Sequence, residues 1–472
     1  MNEIDLLFQK VAKKNKSALN LNKSNIVGNV LCIGKPSFGK SSSERREAEI
    51  RYEVGHKIFM LYDAGRMDDC FISLDSTSDF WKFPKLNKNG EIITAKGYPV
   101  ELLYPVTRNI PKNLPKCAIP FTIPVNTLDN EDIASLTGFQ DLEMVKGILN
   151  YMDDYINEKT TGEDYVNLMS VALRKSEDID KIKPTHHGVK KLKFEVFKPL
   201  MNEGLLSSNK VSTALNLRRI TKDKGVISIL VLKHCPKHLW GFLVHYFLNH
   251  IYKMTGGIEG EARIKQYTTI MLNEVADLLH GGMDMGESHF AISKLIETIV
   301  KQYRTANLFL MMNTQIPQEL PDIKNNMMRI YVYNSSVIEV EKAMEIMGIS
   351  TRTGMITPDE ISLIPFLKKG WFFLFDMNGV KMYKQVWTRS RTYYDGDDFY
   401  EIYDKIKGRG AYYIIEDKIE ELKKEREESK DSWRLKYAIE NTEKKEKTIT
   451  HQYEKKKEIE DVEEEIEEKI DW

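Results

Sequence analysis

The chain has 472 residues, a formal net charge of -1, 42% hydrophobic residues and four cysteines, Cys32, Cys70, Cys117 and Cys235. That length holds about two to three domains with a sizeable core, and the neutral balance excludes a protein that coats nucleic acid over its whole surface while leaving room for a local basic lining. Widely spaced cysteines without a CxxC pair read as inert thiols of a reducing compartment, and no apolar run approaches the roughly 18 to 20 residues of a membrane span.

The N-terminal stretch MNEIDLLFQKVAKKNKSALNLNKSN places its apolar residues before most of its lysines, the wrong order for a secretory signal. It predicts a short amphipathic helix and polar linker over 1–24. Next, the apolar run IVGNVLCI leads into GKPSFGKSS, which fits GxxxxGK[ST] with Gly34, Gly39, Lys40 and Ser41 in the fixed places. A strand feeding such a loop is a phosphate grip. Backbone N–H groups of Gly34, Lys35, Pro36, Ser37, Phe38, Gly39, Lys40, Ser41 and Ser42 line it, proline excepted; the Lys40 amine reaches the outer phosphates and the Ser41 hydroxyl ligates Mg²⁺. SSERREAEIRYEVG, rich in helix formers and closed by Gly55, predicts the helix that must follow. Ser37 and Phe38 are bulky for such a loop.

HKIFMLYDAGR predicts a buried parallel strand ending near Asp63, and GYPVELLYPV and AIPFTIPV predict strands or extended segments. From Asn126 to about Lys183 the apolar spacing turns helical. A strand over Val226–Leu232 then leads through LKHCPKHLW into a long apolar helix; His234, Cys235 and His238 are interrupted by Pro236 and read as a strand end turning into that helix. TTIMLNEVADLL ends an apolar strand with Asn273 and Glu274. HFAISKLIETIVKQYRT predicts a helix with Ile292, Leu295, Ile296 and Ile299 on its apolar face, followed by the strand ANLFLMMNTQ. NNMMRIYVYNSS is one more strand, and GWFFLFDMN with VKMYKQVW a hairpin around Asn378-Gly379. Strand and helix alternate, so the fold class is α/β with a mainly parallel sheet. From about Gly410 the chain becomes Lys- and Glu-rich with narrow apolar stripes, a charged helical or coiled-coil tail.

The later motifs define the second half of a site. Where Asp is usual in a P-loop ATPase, Asn273 holds Mg²⁺ through water without adding charge, and Glu274 polarises the attacking water. Asn313 and Gln315 emerge where a side chain can touch the γ-phosphate. Arg304 and Arg329 are candidates to stabilise transition-state charge on a neighbouring subunit's ATP.

Taken in order, GKPSFGKSS, VISILVLKHCPKHLWGFLVHYFL, IMLNEVADLL, QYRTANLFLMMNTQIPQELP and NNMMRIYVY resemble the HerA/FtsK superfamily of P-loop ATPases over about residues 25–400. The resemblance implies a RecA-like core in two parts, 25–128 and 224–409, around a largely helical insertion at 129–223, with a tail at 410–472. It implies ATP and Mg²⁺ as cofactors, Gln315 as a sensor and Arg329, ahead of Arg304, as the arginine acting in trans. It further implies a homo-oligomer, a six-membered ring holding double-stranded DNA in its channel.

With neither a winged-helix DNA-reading domain nor an N-terminal anchor in view, the leading expectation is a cytoplasmic DNA translocase that packages the genome of an archaeal virus or mobile element. A conjugation or type IV secretion ATPase is the alternative, and a nucleotide-dependent scaffold a third. The tail helices are the candidate contact for a capsid or membrane-channel partner. HHGVKKLKF and LNLRRITKDK are candidate contacts to the DNA backbone.

Overall fold

The computed structural model describes residues 26–63, 100–110, 118–137, 204–232, 234–256, 263–280 and 288–384, with isolated positions between 4 and 11, 85 and 93, and 152 and 168. Residues 1–110 and 119–405 form one compact unit; of the second unit, 111–118 and 406–472, Ala118 alone is described. The charged tail and HHGVKKLKF therefore lie outside the described residues, as does most of the expected helical insertion.

The first unit is built on a ten-stranded sheet. Its strands in chain order are β1 (Asn29–Ile33), β2 (Lys57–Asp63), β3 (Val100–Pro105), β4 (Ala118–Phe121), β5 (Ile227–Leu230), β6 (Thr268–Asn273), β7 (Leu308–Thr314), β8 (Met327–Val332), β9 (Trp371–Asp376) and β10 (Gly379–Lys384). Their spatial order is β10-β9-β8-β1-β7-β6-β2-β5-β3-β4. From β8 to β3 every pairing is parallel, while β8-β9-β10 run antiparallel and form the edge. Every residue of β1, β5, β6 and β7 is buried, the mark of strands covered on both faces. The hairpin turn is Met377-Asn378, with Gly379 already paired to Asp376.

Helices α1 (Lys40–Glu53), α2 (Asn130–Thr137), α3 (Trp240–Gly256), α4 (Val275–His280), α5 (His289–Ala306), α6 (Val337–Met347) and α7 (Pro358–Leu363) are the main helices among the described residues. α3 buries all its residues but His250, Lys253 and Gly256, a core helix as its apolar sequence predicts. Ile292, Ile296 and Ile299 of α5 are fully buried, on the face that the spacing predicts, with Leu295 at its margin. At the N-terminus Val11 is buried and the Phe8 ring meets Trp371 edge-on at 4.9 Å. No described helix is long and apolar enough to cross a membrane.

Two features orient everything else. Asn29, fully buried at the start of β1, donates to the carbonyls of Val300 and Asn326 and accepts from the Leu310 amide. This joins the starts of β1, β7 and β8 at one edge of the sheet, so their ends lie together at the other. α1, which leaves that second edge, has an unusual inner face: among its described side chains, Ser43, Glu44, Glu47 and Arg51 are buried with only Ala48 for apolar company.

Candidate active site

β1 ends at Ile33 and the chain turns at Gly34, where φ is +144°; a Cβ there would stand 2.7 Å from the Tyr333 Cβ, so only glycine fits. The loop is anchored from the β8 side. Lys35 N–H donates to Asn334 O (2.8 Å), Gly370 N–H donates to Phe38 O (3.2 Å), and Asn334 Nδ2 donates to Pro365 O (2.7 Å). Phe38 thus has a backbone use, and Ser37 adopts the left-handed φ of +66° that a small loop residue usually takes. Lys35, Pro36 and Ser37 are exposed, Phe38, Gly39 and Ser41 half-buried. α1 opens at Lys40, with Ser41 and Ser42 in its first turn, so its positive dipole end and the loop amides face one place. That is an anion cradle by construction.

Lys40 is 5% exposed; its Nζ donates to Gly34 O at 2.6 Å and lies 3.2 Å from Glu274 Oε1. Two distant sequence motifs thereby meet. β7 is inserted between β1 and β6, with Cys32 of β1 paired to Asn313 and Leu272 of β6 paired to Met312. This brings the ends of β1, β7 and β6 side by side. Glu274 leaves β6 with φ +53°, a left-handed conformation that costs a non-glycine residue roughly 1 kcal/mol or more. Its amide is held there by Asn313 Oδ1 (2.7 Å), and Asn313 Nδ2 donates in turn to Glu44 on α1. Asn313 is fully buried, so it does not project toward a phosphate as its place in the sequence suggests; it links α1 to the Glu274 backbone.

Asn273 is buried at the end of β6 and Gln315 half-buried just beyond β7, both on the loop edge. Ser41, in the first turn of α1, and Asn273, at the end of β6, are neutral oxygen donors of a type that Mg²⁺ accepts, with the Glu274 carboxylate the next residue.

Arg329 corrects the sequence reading. Instead of facing a neighbour it is 3% exposed beneath α1, paired with Glu47, whose other oxygen accepts from Tyr331 (2.9 Å). Glu47 also pairs with Arg51 (2.8 Å), which donates to Gly28 O (2.6 Å) and Thr269 Oγ1 (3.1 Å). Burial alone would raise the Glu47 carboxyl, but Arg329 and Arg51 outweigh it and hold it below its ordinary value. Nearby His56, pushed down to about 3 by burial and by Arg51, stays neutral and shares a 3.0 Å hydrogen bond with Thr269. This network fastens the phosphate-loop helix to the sheet, and the sequence reading missed it. The available signal was Glu44, Glu47 and Arg51 at helical spacing on a helix that must lie against apolar strands.

Arg304 is exposed at the end of α5, its guanidinium 5.4 Å over the Tyr303 ring, beside a 270 Å³ cleft shared with Asn325 and Asn326. That is the starting edge of β7 and β8, roughly 20 Å along the strands from the phosphate loop. It has no reach to Lys40 of the same chain.

No family model and no curated protein matches this chain. Among solved structures it is similar to VirB4 of Thermoanaerobacter pseudethanolicus, at 14% identity and a TM-score of 0.46 over 76% of this chain and 88% of that one. It is also similar to the plasmid coupling protein TrwB in complex with the non-hydrolysable ATP analogue ADPNP, at 10% identity and a TM-score of 0.45 over 81% and 92%. TrwB in complex with ADP and Mg²⁺ gives 11% and 0.43 over the same shares. By its own strand order, with β7 between the loop strand and the glutamate strand, and by its loop geometry, the chain has the α/β fold of a P-loop NTPase.

Proposed function

We propose that the chain hydrolyses ATP with Mg²⁺ and couples it to movement of double-stranded DNA, as a motor of the HerA/FtsK type. The observation that carries the chemistry is the 3.2 Å approach of Glu274 to Lys40 at the mouth of the loop. A lysine that binds terminal phosphates and a carboxylate that accepts a proton from water are the two groups hydrolysis needs side by side. Phosphates draw the Lys40 amine from Gly34 O and from Glu274 Oε1, which frees Glu274 to orient water. Ser41 and Asn273 would hold Mg²⁺, which would neutralise charge on the phosphoryl oxygens.

Gln315 senses the terminal phosphate from the end of β7. With Arg329 committed to Glu47, Arg304 is the arginine left to act on a neighbour's nucleotide, which fits a ring with sites between subunits. Arg219, Lys222 and Lys224, exposed around the helix Leu217–Lys222, offer a phosphate-backbone contact.

Lys40→Ala is expected to weaken nucleotide binding by about 10- to 100-fold, because a hydrogen bond to a charged group contributes roughly 1.5–3 kcal/mol, and to reduce hydrolysis to background. Fluorescent-nucleotide titration and a phosphate-release assay with and without linear duplex measure both. Hydrolysis stimulated by duplex supports the DNA load, whether for transfer between cells or for packaging. Hydrolysis indifferent to duplex and raised by membrane components favours a secretion role.

Asn313→Ala tests the link between α1 and Glu274. Turnover is expected to fall by about 10², the usual cost of a misplaced catalytic group, with nucleotide affinity within about twofold of the parent. Loss of affinity in step with turnover would show that Asn313 only supports the loop.

A further inference from the structure

A second polar cluster lies where the start of α2 meets α3. Asp129 and Asp132 come from the first; His245, Asn249, His250 and Lys253 come from the second. One ligand atom from each of Asp129, Asp132 and His250 falls within 4.8 Å of the others. His250 Nε2 is 2.7 Å from Asp132 Oδ2 and 3.7 Å from Asp129 Oδ2. His245, with a side chain 3% exposed, points Nδ1 at Asp132 Oδ1 from 3.5 Å, and that nitrogen makes no hydrogen bond. His245 thus presents a buried imidazole nitrogen to the Asp132 carboxylate at ion-pair distance but without hydrogen-bond geometry.

The charge count points the same way. Asp129, Glu131 and Asp132 carry three negative charges, and Lys253 returns one, bridging Asp129 Oδ2 (2.5 Å) and Glu131 Oε2 (2.7 Å). Carboxylates thus outnumber the one lysine at this cluster, with Asp132 fully buried and Glu131 half exposed. Hard cations such as Mg²⁺ and Ca²⁺ take oxygen ligands throughout. Two imidazoles with two carboxylates form a donor set for zinc-class ions, whose tetrahedral ligands stand about 3.5 Å apart at the usual bond lengths.

We propose that Asp129, Asp132 and His250, joined on binding by His245 from beside Asp132, form a site for a zinc-class divalent cation that clamps α2 to α3, separate from the nucleotide site and independent of the function proposed for it. Asn249 Nδ2, 3.0 Å from Asp129 Oδ2 and 3.2 Å from Asp132 Oδ1, holds the two carboxylates together. Lys253 is the resident competitor: on binding it gives up Asp129 and keeps Glu131.

The test uses the full chain, stripped with EDTA and titrated with ZnCl₂ and, separately, CoCl₂. One zinc per chain by elemental analysis, a rise in Tm with zinc, and the visible absorption bands of four-coordinate Co²⁺ are expected. His245→Ala with His250→Ala removes the zinc and the bands, whereas Lys253→Met keeps or tightens zinc binding by removing the competing charge. The Co²⁺ spectrum and Lys253→Met decide the matter even if the double variant does not fold. Three results overturn the proposal: no stoichiometric zinc and no rise in Tm with zinc; zinc uptake unchanged in a folded His245→Ala, His250→Ala protein; or Lys253→Met losing stability without binding zinc.

Discussion

Glu274→Gln is expected to lower ATP turnover by about 10²–10⁴, the range for removing a positioned general base, while nucleotide affinity stays near that of the parent. The isostere keeps the side chain's length at the mouth of the loop and loses the ability to take a proton from water. It also removes the charge that lies 3.2 Å from Lys40 in the nucleotide-free site. With that competitor gone, Lys40 is freer to meet phosphate, so affinity should rise slightly if it moves at all. Single-turnover hydrolysis alongside equilibrium nucleotide binding separates these effects. Turnover within about threefold of the parent would leave Glu274 no part in the chemical step, since a general base contributes far more.

Arg329→Ala is expected to fail for a different reason. An arginine acting across a subunit boundary can be removed without harm to the monomer, but Arg329 is a buried partner of Glu47 beneath α1. Breaking a buried ion pair from one side costs about 3–5 kcal/mol, because the remaining charge is stranded. Denaturant unfolding should therefore show a large loss of stability, with hydrolysis falling only as the folded fraction falls. A stable Arg329→Ala protein that binds ATP but does not hydrolyse it would restore the trans-acting role.

The same network sets an acid limit. The Glu47 carboxyl is held below its ordinary value, burial notwithstanding, by Arg329 and Arg51. The folded protein thus takes up the proton less readily than the unfolded chain. The stability from Glu47 is complete above the ordinary carboxylate pKa of about 4.3 and is lost as pH falls through it toward the depressed folded value. Glu47→Gln should flatten that part of the stability profile while lowering its plateau.

Each strand or helix that reads clearly in the sequence does so for a local reason. β1, β6 and β7 are apolar runs that make sense only as strands covered on both faces, and α5 carries its isoleucines at helical spacing. The fixed residues of the phosphate loop are legible because each answers to backbone geometry: Gly34 to a φ that excludes a Cβ, and Lys40 to the first position of the helix. Glu274 is legible as the polar residue that closes an apolar strand.

What the sequence by itself determined is therefore the main strands of the sheet, helices α1, α3 and α5, their α/β alternation and the residues at the phosphate cradle, because periodicity and backbone restriction act over a few neighbours. Only the tertiary structure decided which side chains meet. Asn313 and Arg329 occupy strand positions from which a polar group can face either solvent or a packed helix, and the choice depends on what α1 brings to that face. It brings Glu44 and Glu47, and a carboxylate withdrawn from water draws every donor within reach, so both residues turn inward and Arg304 alone of the two candidate arginines remains at the surface.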